Sequence, residues 1–309
     1  MLRYILRRLT HTVLVIIGIS AISFIFLHLS GDPVGLVLPQ DATQEQIAAL
    51  RQEMRLNDPI YLQYLHFVTA ALHGDLGLSI YTREPVVGLI LERMPATIEL
   101  ALAALVLSLA VAIPIGVLAA VKRGSWMDTI SMTVALFGLS MPHFWLGIMF
   151  IMVFSVQLGW LPTSGRGTWL QLLMPATALG VSLIALFARL TRSAMLEVLS
   201  QDYVRTARAK GLSEIMVVGN HALRNALIPL VTVVGMEFGF LLGGAVIIEM
   251  VFAWPGVGRL IVQSILDRDY PVVQAAVMML AIVFVTVNLL IDLLYGWLDP
   301  NISYDGRSK

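Results

Sequence analysis

The residues best equipped for chemistry form a charged island, Asp202 to Pro229, between two long apolar runs. Arg205, Arg208, Lys210, Glu214 and Arg224 lie there, interleaved with Ala207, Ala209, Gly211, Leu212 and Ser213. Asp202 is placed to cap a helix start by accepting from free backbone N–H groups, and Tyr203 to Lys210 contains no helix breaker. Gly211 supplies a residue free to take positive φ, and Ser213 with Glu214 opens a second short helix. Pro229 marks the return to apolar sequence. A helix–Gly–helix island against a membrane suits docking onto a soluble partner; it equally suits an ordinary basic loop, and the stretch alone leaves both readings open. Covalent chemistry is not expected. The chain has no cysteine, hence no thiol nucleophile or Cys-based metal site, and no Gly-x-x-x-x-Gly-Lys-Ser/Thr phosphate loop. No cofactor, metal or nucleic acid is expected on this chain, and any ATP hydrolysis belongs to another.

The elements that must position the island are membrane helices. Apolar residues make up 58% of the chain and charged ones 13%, about half the share usual in soluble domains. Arg3, Arg7 and Arg8 precede an apolar run from about Leu9 to Leu29. That run is long enough to cross about 30 Å of hydrocarbon and too long for a signal-peptide core, so a retained first helix is expected. Residues 30–95 differ in kind: acidic residues outnumber arginines, a helical segment runs from about Thr43 to Leu56, and Asn57-Asp58-Pro59 reads as a turn. A connector of this length is expected to fold as a small external subdomain.

The core, 96–298, contains five further spans. They cover about Ala96 to Val121, Thr129 to Gln157, Leu172 to Leu190, Leu227 to Ile248 and Ala275 to Leu298. Met141-Pro142 inside the third predicts a kink, beside a translocation path or for packing alone. The fifth is rich in small residues, Gly235, Gly239, Gly243, Gly244 and Ala245, which favour close helix approach over pore lining. Glu237 lies about 15 Å along it, near mid-membrane, where it must face water or a partner or be protonated. Glu249 to Arg259, including Trp254, Pro255 and Gly256, reads as an outside re-entrant or turn segment. The N-terminus, the Lys122 loop, the stretch Arg189 to Arg224 and the tail 299–309 carry 13 lysines and arginines; the opposite segments carry 7. Both ends are therefore expected on the cytoplasmic side, with 193–228 as a cytoplasmic loop.

Ala207-Arg208-Ala209-Lys210-Gly211, with Ile228-Pro229 beyond it, resembles the signature loop of ABC importer permeases. The common Glu-Ala-Ala opening is replaced by Arg205-Thr206-Ala207-Arg208-Ala209, a variant similar to the dipeptide/oligopeptide/nickel branch. Gly31-Asp32-Pro33, His73-Gly74-Asp75-Leu76-Gly77-x-Ser79, Arg93-x-Pro95-x-Thr97-x-Glu99-Leu100, the Glu249–Arg259 segment and Asp267 to Gln274 resemble the same branch. The resemblance covers nearly the whole chain and implies an all-α permease of six transmembrane helices in the bacterial inner membrane. It implies a second permease chain, two ATPases on the cytoplasmic side with the island in a cleft of one, an external binding protein, and peptide cargo, with nickel, glutathione or another small solute as the alternative. Glu237, Met141, Pro142 and Gly239 become translocation-path candidates. Trp254, Pro255, Gly256, Asp269 and Tyr270 become external-gate or binding-protein contacts. Where such permeases commonly carry glutamine, this chain has Glu237, a departure that bears on cargo. A rival of another class, an ion-coupled secondary transporter, would need intramembrane charges, for which Glu99, Arg189, Glu237 and Asp292 are the candidates. A structural anchor would leave residues 30–95 without a purpose.

Overall fold

The computed structural model describes residues 2–29, 43–53 and 56–298; Gly31-Asp32-Pro33 and the tail 299–309 lie outside the described residues. Twelve α-helices follow one another there. They are α1 (Leu2–Leu29), α2 (Gln44–Glu53), α3 (Ile60–Leu72), α4 (Val86–Val121), α5 (Trp126–Ser140), α6 (His143–Phe150), α7 (Trp169–Leu199), α8 (Asp202–Ala209), α9 (Glu214–Met216), α10 (Arg224–Val251), α11 (Val257–Leu266) and α12 (Tyr270–Leu298). Two π-helical stretches, Ile151–Gln157 and Val217–Leu223, continue α6 and lead into α10. Among the described residues no strand forms beyond an isolated bridge between Leu78 and Pro85.

Five helices are long and apolar enough to cross a membrane, and a sixth span arises if α5 and the α6–π run are taken together. That pair departs from the expected kink. The chain turns by 102° at Met141-Pro142, so the third span is broken rather than bent. Proline offers no N–H, and it disfavours the helical region for Met141, whose φ of −89° and ψ of 129° are extended. Helix α4 starts ten residues before the expected Ala96, at Val86, and α7 runs on past Leu190 to Leu199.

Two compact units divide the chain, 1–96 with 255–309 and 97–254. The described part of residues 30–95 falls in the first unit with α1 and α12. Within that first unit α1 packs on α12, and α3 reaches α1 through Tyr64, whose hydroxyl lies 2.8 Å from Ser20 Oγ. The Phe24 ring meets Tyr64 edge-on at 5.4 Å.

The second unit is built around α7, which packs against α5, α6 and α10. Its crossing with α4 is close for a reason visible in two glycines. A Cβ on Gly180 would stand 2.5 Å from Ser108 Oγ, and one on Gly116 would stand 2.6 Å from the Ala188 carbonyl oxygen. Small residues let two backbones approach this far, and the Ser108 hydroxyl uses the proximity to donate to the Gly180 carbonyl at 2.9 Å. The glycines of α10 behave differently: a Cβ on Gly243 would meet nothing within 4 Å, although Gly239 and Ala245 are buried.

Candidate coupling site and translocation path

The charged island folds as α8, a turn, α9 and the π-helical run into α10, all within the second unit. Asp202 is the first residue of α8 and not its cap; Gln201 precedes the helix in extended backbone. The carboxylate still favours the positive helix end. At the other end Gly211 takes φ +78°, its N–H donates to the Arg208 carbonyl at 2.9 Å, and the Leu212 N–H reaches the Ala207 carbonyl at 3.4 Å. These two bonds close a Schellman turn, in which positive φ lets the chain fold back onto the last helical carbonyls. Leu212 then packs against the buried cluster of Val204, Ala207 and Val217, as the motif's apolar contact requires.

Burial sorts the expected coupling residues. Ala207 is 7% exposed and holds α8 down, and Leu212 is half-buried. Arg205, Arg208, Ala209, Lys210, Gly211, Ser213, Glu214 and Arg224 are exposed. Arg208 reaches across the turn to Glu214, Nε to Oε1 at 2.8 Å. Hydrogen bonding from that guanidinium holds the Glu214 carboxyl below its ordinary value, and the carboxylate raises Arg208 in turn. Asn225 Nδ2 donates to the Tyr203 hydroxyl at 2.7 Å, tying α8 to the first turn of α10. A second buried cluster, Ala120, Ala194, Met195, Ala222 and Ala226, fixes the island's far side to the ends of α4 and α7. The turn thus presents an exposed, salt-bridged tip. Two residues of that tip escaped sequence reasoning: Ile215, 88% exposed, and Met216, 45% exposed, stand beside the charges. An apolar residue in a charged stretch carries a signal only if one asks why it is not buried.

The start of α5 and the C-terminal half of α7 are joined by a pair that sequence reasoning also missed. Arg192 meets Asp128 through Nε at 2.6 Å and Nη2 at 2.8 Å, while Asp128 also accepts the Gly124 N–H at 3.0 Å. The bidentate geometry fixes both groups.

Of the path candidates, Gly239 is buried, Met141 is half-buried and Pro142 is exposed at the break. Glu237 is half-buried about 20 Å along α10, and no hydrogen bond or ion pair from its carboxylate is found among the described residues. At the break His143 Nε2 lies 2.9 Å from the Ser182 hydroxyl of α7. The side chain of Asp292 lies outside the described ones.

The external-gate candidates differ in burial. Trp254 is 1% exposed, Asp269 4%, and Gly256 is buried as well. Trp254 is large and apolar, and its backbone N–H donates to the Glu249 carbonyl at 2.8 Å, which folds it inward. Asp269 accepts from the Ser79 hydroxyl and from the Ile80 N–H at 3.0 Å, pinning the segment before α4 to the start of α12. Pro255 is exposed and Tyr270 half-buried. Glu249 is fully buried and accepts from Thr97 Oγ1 at 2.7 Å. Glu99 pairs with Arg166 of the loop before α7, Nε to Oε2 at 2.7 Å, which accounts for that charge without ion coupling.

Residues 112–304 match the model of the binding-protein-dependent transport system inner membrane component, and residues 1–101 match its N-terminal companion. The glutathione transport system permease protein GsiC of Escherichia coli O6:H1 (strain CFT073) is 45% identical over 305 residues, 98% of this chain and 100% of that protein. GsiC of Escherichia coli strain K12 is 44% identical over the same coverage. Among solved structures, an inward-facing conformation of the MetNI methionine ABC transporter superposes with a TM-score of 0.59. It is 21% identical and covers 70% of this chain and 99% of that one, which bears on the fold alone.

Proposed function

Since the chain belongs to the inner-membrane components of binding-protein-dependent transport systems, and is a permease of an ABC importer in the bacterial inner membrane, we propose that its cargo is glutathione. The observation that carries this is the 45% identity to a glutathione permease along the full length of both chains. The reading moves from di- and oligopeptides in general to the alternative, a tripeptide bearing two carboxylates and one ammonium.

In this reading the chain pairs with a second permease, and an external binding protein delivers the cargo. One of two ATPases docks on the exposed tip formed by Arg205, Arg208, Lys210, Ser213 and Glu214, with Ile215 and Met216 supplying apolar contact. Closure of the ATPases moves α8 as a lever, because the Schellman turn and the buried Val204 cluster make it one body with the ends of α7 and α10. This chain performs no covalent chemistry. Both chain ends face the cytoplasm.

Competition tests the cargo. Cells lacking other glutathione uptake, expressing this chain with its partner subunits, are predicted to take up labelled glutathione. Excess unlabelled glutathione should compete, and a hundredfold excess of a neutral dipeptide should not. Equal competition by the dipeptide would return the assignment to general peptides.

A further inference from the structure

We infer that the groove between α5 and α7 is a cargo site on the inner half of the path, in which Arg189 takes a carboxylate of an anionic peptide. The inference rests on the glutathione reading. It starts from a cavity of about 200 Å³ lined by Met132, Leu136, Leu139, Ala185, Arg189 and Arg192. The α5 residues recur every three or four positions and form an apolar wall. On α7, Ser182, Ala185, Arg189 and Arg192 recur at the same spacing, so one helix face carries a hydroxyl, a small residue and two guanidinium groups.

The two arginines are not equivalent. Arg192 is committed to Asp128 by two hydrogen bonds. Arg189 is exposed and makes no hydrogen bond or ion pair among the described residues. It is a cation with a planar donor fork and no acceptor, in a groove whose lining is apolar apart from the two arginines.

Beyond the residues that line the groove, the same face of α7 carries Ser182, which meets a polar partner. His143 stands at the break of the third span, with one ring nitrogen on Ser182 and no hydrogen bond from the other among the described residues. Non-helical backbone at membrane depth is tolerated where it is buried in protein or lines a water-filled cavity. Ser182 lies about 20 Å along α7 from Trp169, near mid-membrane, and Arg189 about 10 Å further in. Three residues of extended peptide span about 10 Å as well. A tripeptide with one carboxylate on Arg189 reaches the His143–Ser182 pair with its other end. Ligand pockets usually exceed about 300 Å³, so this groove seats one end and a wall of the cargo rather than enclosing it. That suits a transit site, which must release what it holds.

The test is a selectivity measurement in liposomes holding the chain with its partner subunits. Uptake of glutathione is compared with that of its glycine monoethyl ester, in which one carboxylate is masked. Wild type should prefer glutathione. Arg189→Gln should raise the KM for glutathione about tenfold, the order expected for losing one charge-assisted hydrogen bond, and leave the ester nearly unchanged, while Arg189→Lys keeps most of the preference. A merely structural role would depress both substrates by the same factor, and that result overturns the proposal. So does reproduction of the defect in wild type by withdrawing anionic phospholipid, which would make Arg189 a headgroup ligand. Wild type that ignores glutathione altogether removes the cargo reading and this site with it. Wild type that transports glutathione with Arg189→Gln unaltered removes the site alone.

Discussion

Gly211 shows how a single residue can be legible in sequence for a reason the structure makes quantitative. A side chain there would meet no atom within 4 Å, so space does not demand glycine. The backbone does, because φ is +78° and the left-handed region costs an ordinary L-residue about 1–2 kcal/mol. Gly211→Val, branched at Cβ, should shift the turn's population by a factor of about 5–30 and cut ATP-dependent uptake accordingly, with normal amounts of protein in the membrane. Gly211→Asn tolerates the same φ and should retain most activity. Equal loss in both variants, measured as initial uptake rate per permease, would mean that something other than backbone conformation is at stake. Residues whose role depends on a distant partner were not legible. Asp128 and Arg192 are 64 positions apart, as are many pairs of charges that never meet, and Thr97 gives no hint that Glu249 will accept its hydroxyl.

At the scale of elements, hydropathy located the membrane helices because burial in lipid leaves the same long apolar signature whatever the packing. Their ends and interruptions were harder to read. The break at Met141-Pro142 reads in sequence as a kink, since proline does both; the neighbours that stabilise a 102° turn, such as Ser182 beneath His143, are far away in the chain. The two π-helical stretches have no composition of their own. The glycine-rich face of α10 drew attention, yet the tightest approaches are at Gly116 against Ala188 and at Gly180 against Ser108, isolated glycines in helices whose register sequence does not supply. The proposed orientation of these helices is open to direct test, since the chain has no native cysteine. Single cysteines at Tyr81, 76% exposed, and at Ser164 should react with an impermeant maleimide added outside intact cells. One at Ser213 should react only after permeabilisation. Ser79 and Ser264, at 1% and 5% exposure, would label poorly on either side. Outside labelling at Ser213 would place the island on the wrong face for an ATPase.

For the whole molecule, the proposed function gives this chain a lever and part of a path and leaves the energy to other subunits. The exposed tip around Arg208 and Glu214, and Arg189 and Glu237, which have no ion pair among the described residues, are surfaces and charges that make sense once other subunits and cargo are added. The central claim is that ATP hydrolysed elsewhere moves glutathione through this chain. The most direct measurement reconstitutes the chain with its second permease, ATPases and binding protein in liposomes, and follows labelled glutathione as ATP is supplied or withheld. Accumulation that requires both ATP and the binding protein is the predicted result. Accumulation driven by an ion gradient without ATP would contradict it.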